Sequence, residues 1–242
     1  MKYFRLRFPN SSSLLLVLLF LFVAISSNAQ TINGTTYPFS NSSGISLEVP
    51  TGTTVLLGTG VDNSASAVTN IGFDFWFTGV RYTQFSVNEN GLMKLGSTVI
   101  TNEFANSMVS AANLPKIAPY WDDLATGTNG NVQSWVTGTA PNRKLIVQWN
   151  VTVPKAAASP ANATFQAWLY ESTGVIEYVY GAGIVNANSY SIGIGNSAAI
   201  FASVNPTFPF ANYGTANDAN TTALTSGTKY TFTPLVLRLQ QL

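Results

Sequence analysis

Two segments of this chain carry an apolar residue at every second position, and that pattern constrains the fold more than any other feature. Ile71, Phe73, Phe75 and Phe77 are interleaved with Gly72, Asp74 and Trp76. Leu145, Val147, Trp149, Val151 and Val153 are interleaved with Lys144, Ile146, Gln148, Asn150 and Thr152. Successive side chains of a β-strand point to opposite faces, so each segment reads as a strand with one apolar side. Gly and Asn clusters recur at short intervals between such runs, as an all-β sandwich requires. Only Asn102–Asn113 has helical spacing, through Phe104 and Met108, and it is long enough for one or two turns at most.

The turn residues fix two hairpin registers. In "FSVNENGLMKL" a two-residue Asn90-Gly91 turn would pair Val87 with Lys94 and mix the faces. A three-residue loop, Glu89-Asn90-Gly91, pairs Val87 with Met93, Phe85 with Leu95, and Ser86 with Lys94 on the polar face, with Gly91 left-handed at a bulge. In "TFQAWLYESTGVIEYVYG" a four-residue loop, Glu171–Gly174, pairs Leu169 with Ile176, Ala167 with Tyr178 and Phe165 with Tyr180. Gln166, Trp168 and Tyr170 then share the other face with Val175, Glu177 and Val179.

The first 29 residues are predicted to be no part of this fold. Lys2, Arg5 and Arg7 precede an unbroken apolar run, Leu14–Ile25, and Ser27 and Ala29 supply the small residues of a cleavage site. This is the layout of a secretory signal peptide, and the run is too short to span a bilayer. No later segment is apolar for long enough to do so. The expected organisation is a signal peptide over 1–29, one β-sandwich domain over 30–234, and a tail or last strand over 235–242. The fold class is therefore all-β: a single antiparallel two-sheet sandwich, jelly-roll-like.

Charge and residue type then exclude whole classes of function. Without the signal, 8 basic residues face 10 acidic ones, a net charge of −2. That argues against a nucleic-acid partner, which needs a basic face, and against docking on acidic membranes. The chain has no His and no Cys. Ser-His-Asp and Cys-His catalysis are excluded, as are His- or Cys-ligated zinc sites. Carboxylate acid–base chemistry and oxygen-ligated calcium remain.

The candidate sites follow from those two options and from the aromatics. "IAPYWDDL" carries adjacent carboxylates, Asp122 and Asp123. On an extended segment their side chains diverge, so they do not face each other as the pair of a glycosidase must; one of them could still pair with a distant carboxylate such as Glu177, though nothing in the sequence places the two together. Calcium is bound by several oxygens on loops, and Asp122, Asp123, Asn129 and Asn131 can supply them, although neither EF-hand nor repeat-toxin calcium spacing is present. The third reading is a turn capped by an Asp after the extended Pro119. Trp149 falls on the apolar face of its strand. Trp76, and Trp168 with Tyr170, fall on the faces opposite the clearer apolar runs, where aromatic rings can stack on sugars or anchor a protein.

Five blocks in order, "IGFDFWFTGVRYTQFSVNENGLMKLG", "IAPYWDDL", "RKLIVQWNVTV", "TFQAWLYESTGVIEYVYG" and "SYSIGIGNSAAI", resemble the nidogen-like extracellular domain of animal matrix proteins and a related module of secreted and surface proteins of gliding bacteria. The resemblance covers roughly Phe73 to Ile200. It implies a β-sandwich used in adhesion or matrix contact, with no established chemistry. Such modules often continue into further domains after the counterpart of "GTKYTFTP", so the means of retention at a surface stays open. The expected function is a secreted or cell-surface, non-catalytic module binding an extracellular glycan or matrix-like protein, with no cofactor unless calcium. A carboxylate-dependent glycan hydrolase and a structural spacer are the alternatives.

Overall fold

A computed structural model describes residues 30–185 and 189–235. The expected signal peptide and most of the expected tail lie outside the described residues. Within them the chain forms fourteen strands in two seven-stranded antiparallel sheets that are not closed into a barrel. The first sheet runs β1 (Phe39–Ser42), β14 (Lys229–Phe232), β10 (Ile176–Tyr180), β9 (Ala163–Tyr170), β8 (Lys144–Val151), β7 (Asn131–Thr137) and β2 (Thr54–Leu57). The second runs β13 (Phe210–Asn212), β12 (Ile200–Asn205), β11 (Ser191–Ser197), β6 (Lys116–Trp121), β5 (Met93–Leu95), β4 (Val80–Val87) and β3 (Thr69–Phe77). The all-β two-sheet sandwich expected from the alternation is the fold. Among the described residues no helix is long and apolar enough to cross a membrane.

Both hairpin registers match the sequence reading. Phe85 lies opposite Leu95, Ser86 opposite Lys94 and Val87 opposite Met93. Leu169 lies opposite Ile176, Ala167 opposite Tyr178 and Phe165 opposite Tyr180. Gly91 has φ +74°, the left-handed value the bulge demands. The inner residues of both sheets fill one core, in which Trp149 stacks on Phe165 at 5.4 Å and 12°.

The polar faces are not bare, and here the sequence reading needs correction. Ser86 was expected on a wet face, yet it is fully buried. Residues 97–113 form an irregular cover over the second sheet, with Ile100 N–H donating to Ser86 Oγ at 2.8 Å and Met108 and Ile100 packed on Leu92, Ala118, Trp121 and Phe201. Beneath it Lys116 is also fully buried. Its ammonium donates to Ser110 O at 2.9 Å and sits 4.8 Å from the Trp121 ring centre. Burial lowers its pKa, because desolvation disfavours the charged form.

Candidate functional site

The Asn90 hairpin loop and the Asp122–Asp123 corner are far apart in sequence but form one unit. Asn90 O accepts from Asp122 N–H at 3.2 Å, and Asn90 Oδ1 accepts from Leu124 N–H at 2.8 Å. The loop therefore caps the end of β6 with both its backbone and its side chain. Gly91 allows the approach, since a Cβ there would stand 1.8 Å from Tyr120 O. Upstream, Asn88 completes the lock: its Oδ1 accepts from Leu92 N–H at 3.0 Å and its carbonyl accepts from Trp149 Nε1 at 2.8 Å. A β-bulge turns the strand just before the corner, where Pro119 and Tyr120 lie between the pairs Ala118–Gly193 and Trp121–Ser191.

Four carboxylates surround this corner. Asp122 Oδ1 accepts from Asp123 N–H at 2.8 Å, a local turn cap. Burial pushes Asp122 up to about 6, with the charge of Asp123 adding to that rise and the backbone hydrogen bond opposing it. Glu89 is fully buried and accepts from Asn63 N–H at 2.7 Å and Ser64 N–H at 3.0 Å. Its pKa is raised, chiefly by desolvation. Lys155 Nζ stands between the other two, 3.0 Å from Asp62 Oδ1 and 3.1 Å from Asp123 Oδ1. Lys155 also donates a hydrogen bond to Asp123 Oδ2 at 3.3 Å, while Asp62 Oδ1 and Asp123 Oδ1 meet the ammonium as ion pairs.

The four residues read from sequence as calcium ligands have different occupations, the two aspartates at the corner just described. Asn129 is exposed and its Oδ1 accepts from Ala161 N–H at 2.8 Å. Asn131 opens β7 opposite Asn150. Among the described residues no group of three or more His, Cys, Asp or Glu is placed to hold a metal ion. Glu177, the distant carboxylate available to an Asp pair, lies on the outer face of the first sheet. There Tyr170 donates to it at 2.8 Å, Lys229 at 2.7 Å and Thr231 at 3.1 Å.

The aromatic candidates are separated. Trp76 is 53% exposed on β3 of the second sheet, beside the surface pair Asp74–Arg81. Trp168 is on β9 of the first sheet and only 5% exposed. The reason is a strap, residues 45–48, laid over that face: Ile45 and Leu47 pack on Trp168, Trp135, Ile146 and Val179. Lys144 Nζ adds a cation 4.0 Å above the Trp168 ring and 5.4 Å from Tyr170, and pairs with Glu48. Gln166 fastens the strap. Its Oε1 accepts from Glu48 N–H at 2.9 Å and Trp168 Nε1 at 2.7 Å; its Nε2 donates to Glu48 O at 2.9 Å and Gln148 Oε1 at 2.8 Å. Sequence reasoning placed Gln166 on the correct face without giving it a role. The signal was a polar amide between two apolar positions of an otherwise apolar strand.

A second surface was missed altogether. Turn 206–209, between β12 and β13, carries Phe208, which is 75% exposed, next to Phe210 at 47%. The Pro-flanked phenylalanines of "NPTFPF" were the available sign. Turn and neighbouring strands border a cleft of about 380 Å³.

A family model described as NIDO related, the nidogen-related domain, matches residues 36–234, and the chain belongs to that family. The match extends beyond the five blocks at both ends, taking in β1 and β14. No curated protein and no solved structure matches the chain.

Proposed function

We propose that this member of the nidogen-related family is a secreted, non-catalytic interaction module that holds an extracellular glycan or a matrix-like protein. Family membership supports an extracellular setting. The expected signal peptide points the same way. The observation that carries the non-catalytic reading is the state of the corner carboxylates. Asp122 and Glu89 are turned onto backbone amides, and Asp62 and Asp123 share Lys155. A hydrolase needs two carboxyl groups facing each other across a substrate, one to protonate and one to attack or activate water. These groups serve the fold instead, as does Glu177 beneath its three donors.

The test is a glycan and matrix-protein array probed with the purified protein, run beside a reducing-end assay on every glycan that binds. Retention of a glycan or protein without turnover is the expected result. Turnover that stops in Asp122→Asn or Asp123→Asn, with folding intact, would replace this reading with the hydrolase. Absence of any retained partner would favour a structural spacer.

A further inference from the structure

The sandwich is open along one side, where β1 ends the first sheet and β13 ends the second. β1 pairs in its sheet with β14 and β13 with β12, and where the two edges approach each other Asn41 Nδ2 donates a long hydrogen bond to Pro209 O at 3.5 Å. The cleft lies in this seam. Tyr230 and Leu224, both nearly buried, belong to its lining, together with Asn41, Ser43, Thr207 and Thr222. Thr207 and Thr222 hold their hydroxyls 2.6 Å apart. None of the lining side chains is charged.

We propose that this seam cleft binds an uncharged saccharide, with Asn41, Thr207 and Thr222 bonding its hydroxyls and the exposed Phe208, which stands in the chain between the lining residues Thr207 and Pro209, covering a ring face. The proposal rests on the interaction-module reading and names a ligand class for it. Three properties select that class. A phosphate, sulfate or uronate would bring charge into a cleft with no cation to meet it, at a desolvation cost nothing repays. An apolar ligand would strip water from the hydroxyls and the Asn41 amide. A neutral sugar satisfies both, because its hydroxyls donate and accept as Thr and Asn do. Its C–H face suits the negative face of an aromatic ring. The volume, at the low end for ligand clefts, suits one or two sugar rings. A hydroxyl pair bonded, among the described residues, only to each other can turn outward to a ligand without breaking the fold, since Thr222 meets Tyr190 through its backbone carbonyl.

The experiment titrates the purified protein with xylohexaose, laminarihexaose, mannohexaose, N-acetylchitohexaose and a galacturonate hexamer, by calorimetry and by amide NMR. At least one neutral oligosaccharide should saturate, shift amides of residues 41–43, 206–210 and 222–228, and bind more tightly than the galacturonate. Thr222→Val and Phe208→Ala should each weaken it by about three- to tenfold, with Tm unchanged, while Phe104→Ser, in the irregular cover formed by residues 97–113, should not. The proposal is overturned if no neutral oligosaccharide saturates, if galacturonate binds best, or if neither variant alters the affinity. A matrix protein retained equally by wild type and both variants would sink the cleft and leave the module standing. Hydrolysis of a bound oligosaccharide would sink both.

Discussion

Tyr180 of β10 donates its phenolic hydrogen to the carbonyl of Pro119 in β6 at 2.6 Å, from one sheet to the other through the apolar core. Tyr178 makes a parallel bond to Gly193 O at 2.7 Å. The Pro119 carbonyl falls within the bulge, where the β6–β11 ladder skips a partner, and the tyrosine supplies one. Burial raises the pKa of both phenols, keeping them protonated as donors. Tyr180→Phe strands a buried carbonyl and should cost about 1–2 kcal/mol. Tyr120 provides the comparison: it is equally buried, but its hydroxyl has no protein partner among the described residues. Tyr120→Phe should cost clearly less. Urea unfolding of both variants decides the point, and equal losses would mean that the Pro119 bond adds nothing.

Gly91 should be intolerant of any side chain. Its φ of +74° alone makes alanine unfavourable by about 1 kcal/mol. A Cβ there would also stand 1.8 Å from Tyr120 O, a backbone atom that cannot yield without disturbing the Asn90 cap. The combined loss in Gly91→Ala should exceed about 2 kcal/mol. An unfolding midpoint within error of wild type would mean that the loop does not pack on the corner as described.

Gln166 should matter more than an outward-facing amide normally does. Gln166→Ala removes four hydrogen bonds at once and leaves Trp168 Nε1 and the Glu48 backbone to find water. With each stranded buried group costing about 1–3 kcal/mol, and partial rescue by solvent at the strap, a loss of about 2–4 kcal/mol is expected. Tryptophan emission should shift to the red as the strap lifts. Loss of stability with unchanged emission would locate the damage elsewhere.

These cases mark what the sequence could disclose. Period-two alternation and turn chemistry are local, so the strands around Phe73 and Trp149, the Glu89-Asn90-Gly91 register and the left-handed Gly91 were readable from neighbours within a few residues. The meeting of Asn90 with Leu124, the cover over Ser86 and the strap over Trp168 join segments 34 or more residues apart or depend on irregular chain with no periodicity. For the same reason Trp168 read as an open ring: its polar-face position was correct, and nothing local announced the segment lying above it.

Asp122 should destabilise the protein when charged. Its folded pKa, about 6, lies above the ordinary 3.8. The native state then holds the proton more tightly than the unfolded chain. The group's contribution is complete below about pH 4 and is lost as pH rises through about 6. Full conversion of the shift would be about 3 kcal/mol. Asp122 retains solvent access, so about 1–2 kcal/mol is the reasonable expectation. Asp122→Asn keeps an oxygen for Asp123 N–H and removes the charge. It should raise stability at pH 7.5 and change little at pH 4. A loss of similar size at both pH values would show that the carboxylate itself is needed.

Calcium should leave the melting temperature unchanged. The cation needs about six to eight oxygens, several of them anionic. At this corner Asp122 Oδ1 is engaged by a backbone amide, Asn129 Oδ1 by Ala161 N–H, and Asp123 by the ammonium of Lys155. Binding would have to displace Lys155, which also neutralises Asp62 at 3.0 Å. A true site filled at 100 times its dissociation constant would add about 2.7 kcal/mol by mass action, or roughly 5–10 °C for a domain of this size. Melting in millimolar calcium and then in chelator should therefore give midpoints within about 1 °C of each other, well below that response. A calcium-dependent rise that disappears in Asp123→Asn would make the corner a metal site, with Lys155 its displaceable occupant.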